Sequence, residues 1–318
     1  MGYAILFIML MHSSGWALFP EPFKSLCTRL SSFVHTAGFL FLSGFGLYYS
    51  LSKKWALSEF YRRRIIRVLV PYMIISFPFY LFYFIVGENN WLEFIGNFTS
   101  VGWFFGGGGL WYISVCLLMY VMCPVFYHLV FRCGKRPFVH ALFILLIMYA
   151  LCFVNYKYEF YSYSEEHYVW TKTPLFVLGL YAGYLAKREY KLGALYFIVS
   201  MMIVLGFKHL KESDSYYINV YNDVIPFIGI PLVCCIIHLL SKYPITSYVN
   251  SIFKWLGIYS LELYILHMLI KYLLFFVCFD LFSLNQTHGA CLILVVVTLL
   301  LSVCLCKPIH IGVNRIIS

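Results

Sequence analysis

Long apolar runs set the pattern of this chain. Ten of them approach or reach the roughly 17–25 residues needed to cross a hydrocarbon layer about 30 Å thick: 3–19, 34–51, 68–86, 110–131, 138–155, 173–186, 193–210, 224–240, 256–279 and 290–306. Several are short or broken by proline. The polar segments between them are too brief to fold alone. The pattern therefore predicts a single integral domain over residues 1–318, an all-α polytopic membrane helix bundle of about ten transmembrane helices.

Composition supports this class. Charged residues make up only 11% of the chain and hydrophobic residues 62%, against about 25% charged in soluble domains. The aromatic share of 21% fits many helix ends at bilayer interfaces, where amphipathic rings are favoured.

The net charge of +10 raises nucleic acid or anionic lipid as a partner, and placement decides between them. If spans alternate sides, 16 of the 23 basic residues fall on one side and six on the other, with Lys271 inside a span. The largest group is Lys53, Lys54, Arg62, Arg63, Arg64 and Arg67, after the second span. The positive-inside rule makes the basic side cytoplasmic and puts both termini there. The charge is then a topology signal. The bilayer is the expected partner and nucleic acid is not.

The 11 cysteines contain no C-x-x-C and lie mostly in apolar runs, so they read as small packing residues and no metal is expected. The first run begins at the start of the chain with no charged region before it, unlike a cleavable signal. Leu6 stands where N-myristoylation needs Ser or Thr.

Ionisable residues inside spans are costly and mark function by default. His12, His35, Glu262, His267 and Lys271 are in this set, with the Arg62–Arg67 cluster at the entry to the third span. His12 lies about 16 Å along its helix, near the middle of the bilayer, where a neutral imidazole can act as a base. A structural His bonded across helices, helped by Ser13 and Ser14, is the competing reading. Ser260, Tyr264, His267 and Lys271 recur at helical spacing and form one polar stripe. Glu262 is about 140° around the helix from His267, so it needs a partner from another helix or a raised pKa. Arg64 and Arg67 are i, i+3 neighbours that can fork phosphates or anchor at lipid headgroups. His128, His140 and His238 read as interfacial. Gly106 to Gly109 read as a flexible or re-entrant outer loop, and Asn97-Phe98-Thr99 and Asn285-Gln286-Thr287 as outer glycosylation sequons.

Several of these pieces belong together. Leu10-Met11-His12-Ser13, His35 ahead of Phe39-Leu40-Phe41-Leu42-Ser43-Gly44-Phe45, and Phe60-Tyr61 with Arg64 and Arg67 before Pro71-Tyr72 form the opening pattern. Leu110-Trp111-Tyr112 with Pro124, and Ser260-Leu261-Glu262-Leu263-Tyr264-Ile265-Leu266-His267, follow it. The combination resembles acyltransferase family three, multi-span O-acyltransferases of bacterial envelope glycans, over nearly the whole chain.

The resemblance implies a multi-pass protein of the plasma (inner) membrane. It implies acetyl coenzyme A as acyl donor, no metal, and a hydroxyl of an envelope polysaccharide or glycolipid as acceptor. Arg64 and Arg67 would hold the coenzyme's phosphates. His12 would deprotonate the hydroxyl or carry the acyl group itself, with His35 as its partner or relay. Glu262 and His267 would belong to the catalytic set, and Trp111, Tyr112, Ser260 and Tyr264 would touch substrate. One departure stands out. The basic residue that the family carries ten intervening residues before its first His falls here on Met1, so either the chain starts late or this member lacks that cation. Two other classes compete: a glycan transporter or flippase using the same polar interior, and an assembly subunit without activity.

Overall fold

A computed structural model describes residues 1–14, 21–32, 35–106, 109–158, 167–190, 194–210, 215–240, 243, 246–283, 285 and 287–317. The described residues contain helices and no strands. In chain order the helices are α1 (Gly2–Ser14), α2 (Glu21–Ser32), α3 (Thr36–Lys53), α4 (Leu57–Arg64), a π-helical stretch (Ile65–Leu69), α5 (Val70–Ile85), α6 (Trp91–Thr99), a 3₁₀ turn (Gly102–Phe105), α7 (Trp111–Phe131) and α8 (Pro137–Tyr158). There follow α9 (His167–Trp170), α10 (Pro174–Lys187), α11 (Ala194–Leu210), α12 (Ser215–Val224), α13 (Pro226–Leu240), α14 (Thr246–Ile258), α15 (Ser260–Phe275), a second π stretch (Phe276–Leu281) and α16 (His288–Ile317).

Among the described residues six helical segments are long and apolar enough to cross a membrane: Leu57–Ile85, Trp111–Phe131, Pro137–Tyr158, Val220–Leu239, Ser260–Leu281 and Gly289–Ile316. Gly2–His12, Pro174–Lys187 and Ile198–Lys208 are apolar but shorter. Length and apolarity thus support at least six spans among the described residues. The expected runs at 173–186 and 193–210 are helical almost throughout, as α10 and α11, and the run at 3–19 is helical to Ser14, beyond which residues 15–20 lie outside the described residues. Between the expected runs at 34–51 and 68–86 only residues 54–56 lie outside helices, because α4 begins at Leu57. Glu59 joins Lys54 at 2.7 Å across that bend and Arg63 at 3.0 Å one turn on, the i, i+4 pairing that steadies an exposed helix. Between the expected runs at 193–210 and 224–240 the chain is helical from Ser215, and 159–166 and 211–214 lie outside the described residues.

The chain divides into two compact units interleaved in sequence. Unit 1 comprises 1–31, 64–114 and 241–318, and unit 2 comprises 32–63 and 115–240. In unit 1, α15 is the hub, packed against α16, α5, α1 and α14. Its residues Glu262 to Ile270 are buried without interruption, as expected of a helix with neighbours all round.

Unit 2 is organised on the pair α3 and α10, which pack along their length. Glycines permit this. A Cβ on Gly44 would overlap the Phe176 carbonyl, and one on Gly179 would overlap the Phe41 carbonyl. Gly179 and Gly183 are the small-xxx-small spacing that lets helix backbones approach closely in membranes. A buried polar knot closes the other end of the unit. Lys172 lies 3.3 Å from the Asp223 carboxylate, to which the Thr171 hydroxyl also donates.

Candidate functional site

The site is built on α15. His267 sits in its middle, one turn before Lys271. His267 Nδ1 lies 2.8 Å from the Leu263 carbonyl, and its Nε2 lies 2.9 Å from His12 Nδ1 in the last turn of α1. The two rings are nearly parallel, at 11°. A carbonyl can only accept, so His267 Nδ1 carries the proton and donates. In the neutral pair His267 Nε2 is then the acceptor, and His12 Nδ1 donates to it. The remaining nitrogen, His12 Nε2, is left with a lone pair, and it makes no hydrogen bond among the described residues. This is the arrangement of an oriented base: a ring held through one nitrogen, with the other free to take a proton.

Lys271 adds a second hold by donating to the His12 backbone carbonyl at 2.8 Å. Tyr264 packs edge-on against the His267 ring at 5.5 Å and against Tyr112 at 5.0 Å. Trp111 precedes Tyr112 at the start of α7 and meets it ring to ring at 5.9 Å. The aromatic candidates Tyr112 and Tyr264 are therefore brought to the histidine pair. Ser260 opens α15 about two turns earlier and makes no hydrogen bond among the described residues.

Glu262 is buried in the first turn of α15, where a carboxylate suits the helix dipole. Its partner is His310 of α16, with Nδ1 at 2.5 Å from Oε1. Tyr259 stands edge-on to the same imidazole. His310 had no sequence signal of its own: it lies past the last expected span, in a stretch read as an inner tail.

His35 belongs to unit 2. It caps α3 by accepting from the Ala37 amide through Nδ1 at 3.1 Å, and its Nε2 lies 3.0 Å from the Asn222 carbonyl. Both nitrogens are thus engaged, one as acceptor and one as donor. The Asp223 carboxylate lies 3.8 Å from Nε2, which joins His35 to the polar knot with Lys172 and Thr171. The nitrogen facing His12 is supplied by His267.

Arg64 is the last residue of α4, and Arg67 lies inside the π stretch that follows. Single π turns recur at functional sites, and here one changes the angle between the two arginines from that of an α-helix. Arg67 is exposed and forms no ion pair among the described residues. Gly107 and Gly108, the middle of the glycine run, lie outside the described residues, as does Gln286 of the second sequon. Asn97, the first sequon's acceptor, is buried inside α6, where no glycan could be attached. No group of three metal-ligating side chains occurs among the described residues.

The acyltransferase 3 family, described as an acyltransferase domain, matches residues 2–307. The chain belongs to this family. It is a membrane acyltransferase, and its apolar helices and the family assignment agree on an integral membrane protein. No curated protein and no solved structure matches it.

Proposed function

We propose that this acyltransferase moves an acetyl group from acetyl coenzyme A to a hydroxyl of an envelope polysaccharide or glycolipid in the plasma membrane, with His12 as general base. The observation that carries the reading is the open Nε2 of His12, set as the basic nitrogen by the chain from His12 to His267 to the Leu263 carbonyl. In the reaction the acceptor hydroxyl gives its proton to Nε2 while its oxygen attacks the thioester carbon. The tetrahedral intermediate expels the thiolate, which takes that proton back from Nε2 and leaves as the free thiol. The ester is formed and His12 returns neutral. Arg64 and Arg67 bind the donor's phosphates on the cytoplasmic side, where both termini also lie. The exposure of Arg67 and its place in the π stretch that begins after Arg64 support this.

Label transfer from radioactive acetyl coenzyme A, by purified protein in lipid nanodiscs, to envelope glycan extracted from the source cells tests the reading. General-base catalysis typically contributes 10²–10⁴-fold, so His12→Ala should lose about that much turnover at normal folded yield. Turnover within a few-fold of the unmodified protein would end the proposal. Label retained on the protein when glycan is omitted would instead place the acyl group on an enzyme residue before transfer.

A further inference from the structure

Asn97 is out of place as a structural residue. The residue is only 5% exposed, yet Oδ1 has no hydrogen-bond partner among the described residues. The backbone carbonyl of Asn97 is satisfied, since it accepts from the Tyr72 hydroxyl at 2.5 Å. The side-chain amide is therefore held on a firmly fixed backbone with its acceptor idle. A buried polar group left unpaired costs about 1–3 kcal/mol, and folded proteins rarely keep one unless a water or ligand completes it.

The surroundings show where a ligand would approach. Gly109, at φ +111°, belongs to the run that opens into α7. A Cβ placed on it would stand 3.7 Å from Asn97 Oδ1 and 3.9 Å from Tyr80 Oη. Both are ordinary contact distances, so at least the room of one carbon lies open between an idle amide and a phenol. Tyr80 also hydrogen-bonds Tyr72 and lies within electrostatic range of Tyr264. Tyr264 is the ring packed on His267, so the open spot adjoins the histidine pair through a single tyrosine. All of these residues belong to unit 1.

The chemistry of the spot is neutral. An amide can accept and donate, and phenols can do both, but no charged side chain takes part. This suits a neutral polyhydroxy molecule and suits neither a phosphate nor a cation. We infer that Asn97, Tyr80 and the space over Gly109 form a subsite for a sugar hydroxyl of the acceptor, placed beside the His12 and His267 pair. This rests on the acyl-transfer reading and adds to it the place where the acceptor is recognised.

Asn97→Leu tests it, because the replacement keeps most of the volume and removes the amide. With the amide idle in the free protein, the melting temperature in nanodiscs should stay level or rise. Transfer to subsaturating glycan should fall about ten-fold, the effect of losing one hydrogen bond of roughly 1.4 kcal/mol, while the KM for acetyl coenzyme A holds. Tyr80→Phe should move transfer in the same direction. As a soluble probe, methyl α-glucoside should raise the melting temperature of the unmodified protein and not that of Asn97→Leu. A melting temperature several degrees lower in Asn97→Leu, or unchanged transfer, would overturn the subsite. His12→Ala run in parallel separates the two readings. If it is inactive while Asn97→Leu is normal, only the subsite falls. If it is fully active, the catalytic reading falls whatever Asn97 does. Should the unmodified protein transfer nothing, the methyl α-glucoside comparison decides the subsite alone, and equal responses would sink it.

Discussion

Lys271 donates from α15 to the backbone carbonyl of His12 at 2.8 Å, one turn beyond the His267 ring that holds the His12 side chain. The reason lies in the last turn of α1. The 13 residues of α1 rise about 20 Å, and the last four carbonyls of any helix have no partner within it. In an apolar medium each unmet group costs several kcal/mol. One face of α15 thus meets the helix end and aims the imidazole at the same time.

Replacing Lys271 by Met should release the end of α1 and misplace His12. A displacement of about 1 Å can cost on the order of 10²-fold in rate, so turnover per folded molecule should drop towards that value with the donor KM unchanged. Lys271→Arg can still donate to the carbonyl and should stay within a few-fold of normal. Amide hydrogen exchange in residues 10–14 should quicken in the Met variant and not in the Arg variant.

His267→Phe removes the acceptor for His12 Nδ1 and frees the choice of tautomer. Its turnover should fall by roughly ten-fold or more, since a share of molecules would present a protonated Nε2. His267→Gln keeps an acceptor oxygen on the same helix and should recover part of that loss. Steady-state rates at saturating donor distinguish the two variants, and equal rates in both would show that the hydrogen bond does not orient the base.

The Glu262 and His310 pair predicts a coupling rather than a rate. Glu262→Gln and His310→Asn should each lower thermal stability, and the double variant should lose less than the sum of the two. A hydrogen bond to a charged group is worth about 1.5–3 kcal/mol, which sets the size of the shortfall. A double-mutant cycle on unfolding measures it directly.

Arg64 and Arg67, changed together to Gln, should raise the donor KM and leave the acceptor KM alone, because two charge-assisted forks to phosphate are lost. Lysine at both positions should rescue only in part, since an ammonium cannot form the planar fork. An unchanged donor KM would leave the arginines as membrane anchors.

Glycines in unit 2 offer a contrast within one pair of helices. Gly179→Leu would drive a side chain into the Phe41 carbonyl of α3 and should abolish the folded yield. At Gly46 nothing lies within 4 Å, so Gly46→Ala should be harmless or stabilising by up to about 1 kcal/mol. Size-exclusion profiles of the two variants provide the comparison.

The polar stripe of Tyr264, His267 and Lys271 could be read from the sequence because it obeys helical spacing within one segment. The need for a partner to Glu262 could be read too, but its identity could not. His310 is 48 residues away, and no local pattern announces which of several histidines will meet a carboxylate. The bond from His12 to His267 spans 255 residues, and no local pattern announces it. Asn97 matched a surface sequon by its letters, while burial in α6 gives it a different meaning.

The interleaving of the two units has a consequence for how the protein is made. At about 5–20 residues per second, α15 is synthesised roughly 13–50 s after α1. During that interval His12 and the open carbonyls of α1 must persist without the helix that will satisfy them, so the nascent first helix has to be sheltered by the insertion machinery or by water at its polar end. The partner arrives only when more than four fifths of the chain has been made, and until then neither the base nor its aim exists. Catalytic competence in this protein is a property acquired late in synthesis.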